Sequence, residues 1–192
     1  QIELGVVPQN TQLPPRNNGV LPWAELSADQ RRLYARYMEV YAAVLKRADA
    51  NIGRLTAALS EMGVLENTII MVFSDNGGSP DGGLTGSPNL LAGGAGGVPL
   101  ADALAQIDAI GGPDTYPMYP MGWAMASNTP YKMYKHDTHL GGVADPLIVH
   151  WPRGIAARGE IRPHYTHVSD IFPTLIASAG VQRVSELAGR RT

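Results

Sequence analysis

The stretch from Ser27 to Phe73 constrains the fold more than any other part of the chain. Ser27 followed by Gln30 is a capping-box start, and Leu33, Tyr37, Val40, Tyr41, Val44, Leu45, Ala48, Ile52, Leu55 and Leu59 then recur at spacings of three, four and one. That spacing predicts a long amphipathic helix ended by Gly63, with Val64 placed to cover the cap. After Asn67, the run Thr68-Ile69-Ile70-Met71-Val72-Phe73 is apolar and β-prone without polar alternation, the pattern of a strand covered on both faces by helices. Helix, short loop and buried strand make an α/β unit. The strand delivers Asp75-Asn76-Gly77-Gly78 at its carboxyl end, where open α/β sheets place their ligands.

The flanking segments are less regular. Residues 1–26 hold Pro8, Pro14, Pro15 and Pro22, which no helix or central strand tolerates, so an irregular arm over something larger is expected. From Gly77 to Pro99 the chain is too rich in turn formers for regular structure. Ala101 to Ile110 is a short helix candidate stopped by Gly111-Gly112-Pro113, and Tyr116 to Pro120 is extended. Leu147 to His150 reads as a second buried strand, and Val168 to Ala179 as a helix capped by Gly180, with Pro173 in its first turn.

Composition removes several function classes. With 15 Lys+Arg against 17 Asp+Glu the formal net charge is −2, which gives no electrostatic case for a nucleic-acid or anionic-membrane partner. The absence of cysteine removes disulfides, thiolate zinc sites and thiol nucleophiles together. No 18-residue apolar segment occurs, and Gln1 opens without a targeting signal, reading like mid-protein. Compartment is not legible.

Two places could carry chemistry. Asp75 and Asn76 supply one carboxylate and one neutral amide oxygen, hard ligands suited to Ca²⁺ or Mg²⁺ rather than zinc. Asp-Asn-Gly is also ordinary turn chemistry, and on spacing alone the turn is the simpler reading. The second place, Lys132 to Gly142, gathers Lys132, Lys135, His136, Asp137 and His139 before a glycine pair, a loop able to present cations to an anion or simply to be solvated. His150, His164 and His167 have no metal-ligand spacing.

Several segments, in this order, resemble the later part of the bacterial arylsulfatases. They are Met38 to Ala43, Asn51 to Leu55, Phe73-Ser74-Asp75-Asn76-Gly77-Gly78, Gly82 to Gly86, Trp123 to Pro130, Pro146 to Pro152 and Asp170 to Leu175. The resemblance implies an alkaline-phosphatase-like α/β fold with a mixed sheet between helices, and residues 1–192 as part of one sulfatase domain. It implies hydrolysis of a small-molecule sulfate monoester, with Asp75 and Asn76 on a bound Ca²⁺ (or Mg²⁺), Lys135 on a sulfate or leaving oxygen, and His139 lending a hydrogen bond or orienting the loop. Lys132 competes with Lys135 for the anion. The family's formylglycine, made from Cys or Ser in C/S-x-P-x-R, and its adjacent Asp-Asp pair have no counterpart here. Both are expected from an amino-terminal half of the same protein, so this segment alone is expected to be inactive. Leu140 and Ala144 stand where the family usually has glutamate and arginine, which removes support for the Lys135 loop. A phosphodiesterase or phosphonate hydrolase of the same superfamily, and a non-catalytic remnant or binding module, are the alternatives.

Overall fold

Ser27 starts the first helix by reciprocal bonding: its hydroxyl accepts from the Gln30 N–H at 3.1 Å, and the Gln30 side chain accepts from the Ser27 N–H at 2.9 Å. The helix, α1, runs Ala28–Glu61 in the computed structural model, which describes residues 1–93, 98–182, 186–187 and 190–191. It ends as the glycine predicts. Gly63 has φ +70°, the Val64 N–H reaches back to the Leu59 carbonyl at 3.0 Å, and the Gly63 N–H to that of Ser60 at 2.9 Å.

A single 3-10 turn, Leu65–Asn67, then leads into β1, Ile70–Phe73. Thr68 is spent closing that turn, its hydroxyl bonding the Val64 carbonyl at 2.8 Å, so the strand starts two residues later than the apolar run suggests. The remaining helices are α2 (Leu90–Gly93), α3 (Leu100–Ala105), α4 (Met121–Ser127), α5 (Leu140–Val143) and α6 (Ile171–Ser178). The expected helix from Ala101 to Ile110 is broken at Gln106 into α3 and a 3-10 turn, Ile107–Ala109.

β1 pairs antiparallel with β2, Leu147–His150, from Ile70 opposite His150 to Phe73 opposite Leu147. A second antiparallel pair joins β3 (Glu186–Leu187) to β4 (Arg190–Arg191). Helix and strand content is that of an α/β chain. Among the described residues, however, each sheet is a two-stranded antiparallel pair rather than part of a mixed sheet. The expectation that the strands are covered on both faces is also not met: Phe73 and all of β2 are exposed, Ile148 by 63%. Among the described residues no further strand lies beside these two; Phe73 and the β2 side chains face solvent, while Ile70, Met71 and Val72 are half-buried.

The chain divides into two compact units, residues 1–158 and 159–192. In the first, the core gathers Leu33, Tyr34 and Tyr37 of α1 with Ala103, Ile107, Ile110, Tyr119, Ala124 and Tyr134. Tyr119 meets Tyr41 edge-on at 4.9 Å, and the Trp123 indole N–H donates to the Tyr34 carbonyl at 2.8 Å, which fixes α4 against α1. Glycine is needed where the loop after β1 passes this core: a Cβ on Gly86 would lie 2.6 Å from the Tyr37 ring. The apolar stripe of α1 is covered only in its first half, and Val44, Leu45 and Leu55 are more than half exposed. In the second unit, the 3-10 turn Val168–Asp170 opens α6, Pro173 sits in the first turn and Gly180 follows at φ +67°, as the sequence suggests.

Candidate active site

The site is made where the loop after β1 meets the loop before β2. β1 ends at Phe73, and Asp75 follows exposed while Asn76 is half-buried. The Ser74 hydroxyl donates to the Asn76 carbonyl at 2.8 Å and bends the chain there. The Asn76 amide N–H donates to the Gly77 carbonyl at 3.2 Å, which leaves Oδ1 as the side chain's acceptor atom. Among the described residues, no hydrogen bond or ion pair engages the Asp75 carboxylate.

Continuing the β1–β2 register past Phe73 and Leu147 brings Asp75 toward Asp145. Burial, then the charge of Asp75, pushes the Asp145 carboxyl above its ordinary range. A charged and a neutral hard oxygen donor on adjacent residues, beside a second carboxylate, fit a Ca²⁺- or Mg²⁺-type ion, which would relieve that repulsion. They do not make a complete site. Among the described residues, no group of three or more acidic, histidine or cysteine side chains could hold a metal, so an ion held by Asp75 and Asn76 would need further ligands.

Backbone contacts too close for side chains weld the two loops together. The Gly77 N–H reaches the Gly142 carbonyl at 3.4 Å, and a Cβ on Gly77 would sit 1.8 Å from the Gly141 carbonyl oxygen. Gly141 and Gly142 in turn nest under the Lys132–Asp137 backbone, where a Cβ would fall within 2.2 Å of the Met133 carbonyl or 2.1 Å of the Asp137 carbonyl. The Lys135 N–H donates to the Gly78 carbonyl at 3.1 Å. Asn128, at the end of α4, bridges the same loops: its Oδ1 accepts from the Gly78 N–H at 2.9 Å and its Nδ2 donates to the Met133 carbonyl at 3.0 Å. Met133 and His136 hold φ of +68° and +78°, a conformation that costs side-chain-bearing residues and persists only where surroundings dictate it.

The structure thus brings Lys135 beside the Asp75 loop through Gly78. Its ammonium lies 3.0 Å from Asp81 Oδ2. His136 Nε2 lies 2.7 Å from Asp81 Oδ1, and the Ser79 hydroxyl donates to Oδ2 at 2.7 Å. Hydrogen bonds from His136 first, then Ser79, with Lys135 adding to them, hold the Asp81 carboxyl down at about 2. His139 is turned elsewhere: its Nδ1 lies 2.5 Å from Asp137 Oδ1, and its N–H donates to the same oxygen at 2.9 Å as it caps α5. Lys132 is exposed, and its carbonyl accepts from the Gly141 N–H at 3.0 Å.

Asp81 and Asn128 are the residues that reading the sequence missed. Asp81 had one available signal: it is the sole charged residue between Asp75 and Asp102. Asn128 had none, since the helix it ends was not legible in the sequence.

Two loops, one bearing the hard-oxygen pair Asp75-Asn76 and the other the cation of Lys135, are thus held against each other. A family model described as Sulfatase matches residues 8–181. An uncharacterized sulfatase of Schizosaccharomyces pombe is 31% identical over 182 residues, covering 94% of this chain and 32% of that protein. An arylsulfatase of Klebsiella aerogenes is 30% identical over 188 residues, covering 96% of this chain and 38% of that protein. A steryl-sulfatase of Mus musculus is 27% identical over 152 residues, 79% of this chain and 18% of that protein. The chain belongs to the sulfatase family, and through it to the alkaline-phosphatase-like superfamily. It spans about a third of the length of the first two of these relatives.

Proposed function

We propose that this chain is the metal-binding and substrate-facing part of an arylsulfatase-type sulfuric ester hydrolase, with its formylglycine nucleophile and remaining metal ligands on a preceding part of the same protein. The observation that carries this reading is the meeting of the Asp75-Asn76 loop and the Lys135 loop, in a chain matched by the sulfatase model over most of its length. A sulfate monoester leaves an alkoxide or aryloxide, so its enzyme has to position the sulfuryl group and neutralise charge on the departing oxygen.

Asp75 and Asn76 would hold the Ca²⁺, for which Mg²⁺ is the alternative. The neutral Asn limits the site's negative charge, so that an anion is still attracted. Held by these two residues, such an ion would supply positive charge to an anionic ester. Lys135, with one of its three N–H donors on Asp81, keeps two for a sulfate oxygen or the leaving oxygen. His139, bonded to Asp137, orients the loop that carries Lys135.

The test is turnover of an aryl sulfate by the full-length protein, compared with a phosphate diester. Hydrolysis of the sulfate, with a loss on the order of a hundredfold or more in Lys135→Ala, supports the reading. Preferential hydrolysis of the diester would move the protein to the phosphodiesterase or phosphonate hydrolase branch of the superfamily. Inactivity on both would leave a binding module.

A further inference from the structure

We propose that Asp81 is the positioning residue for Lys135, an inference that rests on the role given to Lys135 above. A lysine ends a flexible four-carbon stem and, left alone, samples many rotamers, so a preorganised cation needs something to hold it. Asp81 meets that need with both oxygens engaged. Oδ2 takes the Lys135 ammonium at 3.0 Å and the Ser79 hydroxyl at 2.7 Å, while Oδ1 faces His136 Nε2 at 2.7 Å.

The carboxylate is itself placed by its own loop. The Ser79 hydroxyl also accepts from the Asp81 N–H at 3.3 Å, and the turn closes with the Gly83 N–H on the Pro80 carbonyl at 2.8 Å. At the other end, the Lys135 backbone is fixed on Gly78. Lys135 is therefore held at both its N–H and its ammonium by one segment, Gly78 to Asp81, which begins three residues after the proposed metal ligand Asp75. The cation is kept in register with the proposed metal ligands by the Lys135 N–H bond to Gly78 and the Lys135–Asp81 ion pair, both made to the segment that follows Asp75. Asp81 is ionised at neutral pH, its carboxyl held down first by the hydrogen bond from His136 and then by that from Ser79. The tether orients the cation rather than abolishing it, because two ammonium hydrogens remain for the substrate.

The experiment uses the full-length protein with Asp81→Asn, which keeps the shape and removes the charge, and Ser79→Ala as a milder variant that only loosens the carboxylate. Two readouts are needed. Acylation of Lys135 by acetic anhydride, followed by peptide mass spectrometry, should speed up by about twofold to fivefold in Asp81→Asn, the range expected for a partly exposed ion pair, and by less in Ser79→Ala. Turnover of an aryl sulfate should fall about tenfold in kcat with KM changed by less than about threefold, and the loss should vanish in a Lys135→Ala background. Equal losses in the two backgrounds, or a Lys135 labelling rate indifferent to both variants, would overturn the positioning role. Unchanged kcat in Lys135→Ala with faster labelling in Asp81→Asn would instead overturn the catalytic role of Lys135, leaving the tether physically real but without a reaction to serve.

Discussion

Gly77→Ala perturbs the contact that joins the two halves of the site. Its Cβ would lie 1.8 Å from the Gly141 carbonyl oxygen and 2.9 Å from the Gly141 carbonyl carbon, both backbone atoms without a rotamer to yield, so the loops must part by about 1.6 Å to restore ordinary contact. Overpacking of this kind costs about 1–3 kcal/mol. Gly53→Ala is the internal contrast. It lies within α1 with nothing within 4 Å of the added Cβ, and exchanging a helical glycine for alanine contributes about 0.5–1 kcal/mol of stability. Thermal unfolding of the full-length protein, followed by near-UV circular dichroism, should place Gly77→Ala a few °C below the parent and Gly53→Ala level with it or slightly above. Turnover should separate the two further, since misplacing a catalytic group by roughly 1 Å costs on the order of a hundredfold. A Gly77→Ala protein that melts and turns over like Gly53→Ala would refute the tight clasp between the Asp75 and Lys135 loops.

Three other outcomes are expected. The 192-residue chain expressed alone should bind a hydrophobic dye or aggregate, because Ile148, Val149 and Phe73 face solvent; a sharp cooperative melt of a monomer would contradict this. The same chain should not hydrolyse an aryl sulfate above background, since it contains no C/S-x-P-x-R motif; activity that survives purification and disappears in Lys135→Ala would contradict it. Acid stability should depend on Asp81: its carboxyl is lowered from 3.8 to about 2, so the stabilisation is present above pH 3.8 and lost as pH falls toward 2. Solvent screening of His136 and Lys135 limits its size to on the order of 1 kcal/mol, and Asp81→Asn should flatten the unfolding profile across that window.

What the sequence disclosed and what it hid divide along the range of the interactions. Ser27 with Gln30, and Gly63 with Val64, are local devices whose partners lie within five residues, and both ends of α1 were legible from them. β2 was legible for the same reason, as a short apolar run between breakers. The cover on β1 and β2 was not, because an unalternating apolar run reports the environment a strand is suited to rather than the neighbours it has. α4 escaped notice since Pro120 precedes it and Gly122 lies inside a helix of only seven residues, whose packing rests on Trp123 reaching Tyr34, 89 positions away. The site divides likewise. Asp75 and Asn76 were readable as a strand-end pair, and Lys135 as one of two lysines. Asp81, which meets Lys135 across 54 positions, was hidden in a glycine-rich run that gave no hint of its partner.

Calcium calorimetry on the full-length protein tests the central claim most directly. Asp75→Ala removes a charged oxygen ligand and opens a gap in the coordination shell, while Asp75→Asn keeps the shape and loses only the charge. Both should weaken Ca²⁺ binding, the alanine variant more, and Lys135→Ala should leave it nearly intact while turnover collapses. Normal Ca²⁺ binding by Asp75→Ala would contradict the account and return Asp75-Asn76-Gly77 to a plain turn.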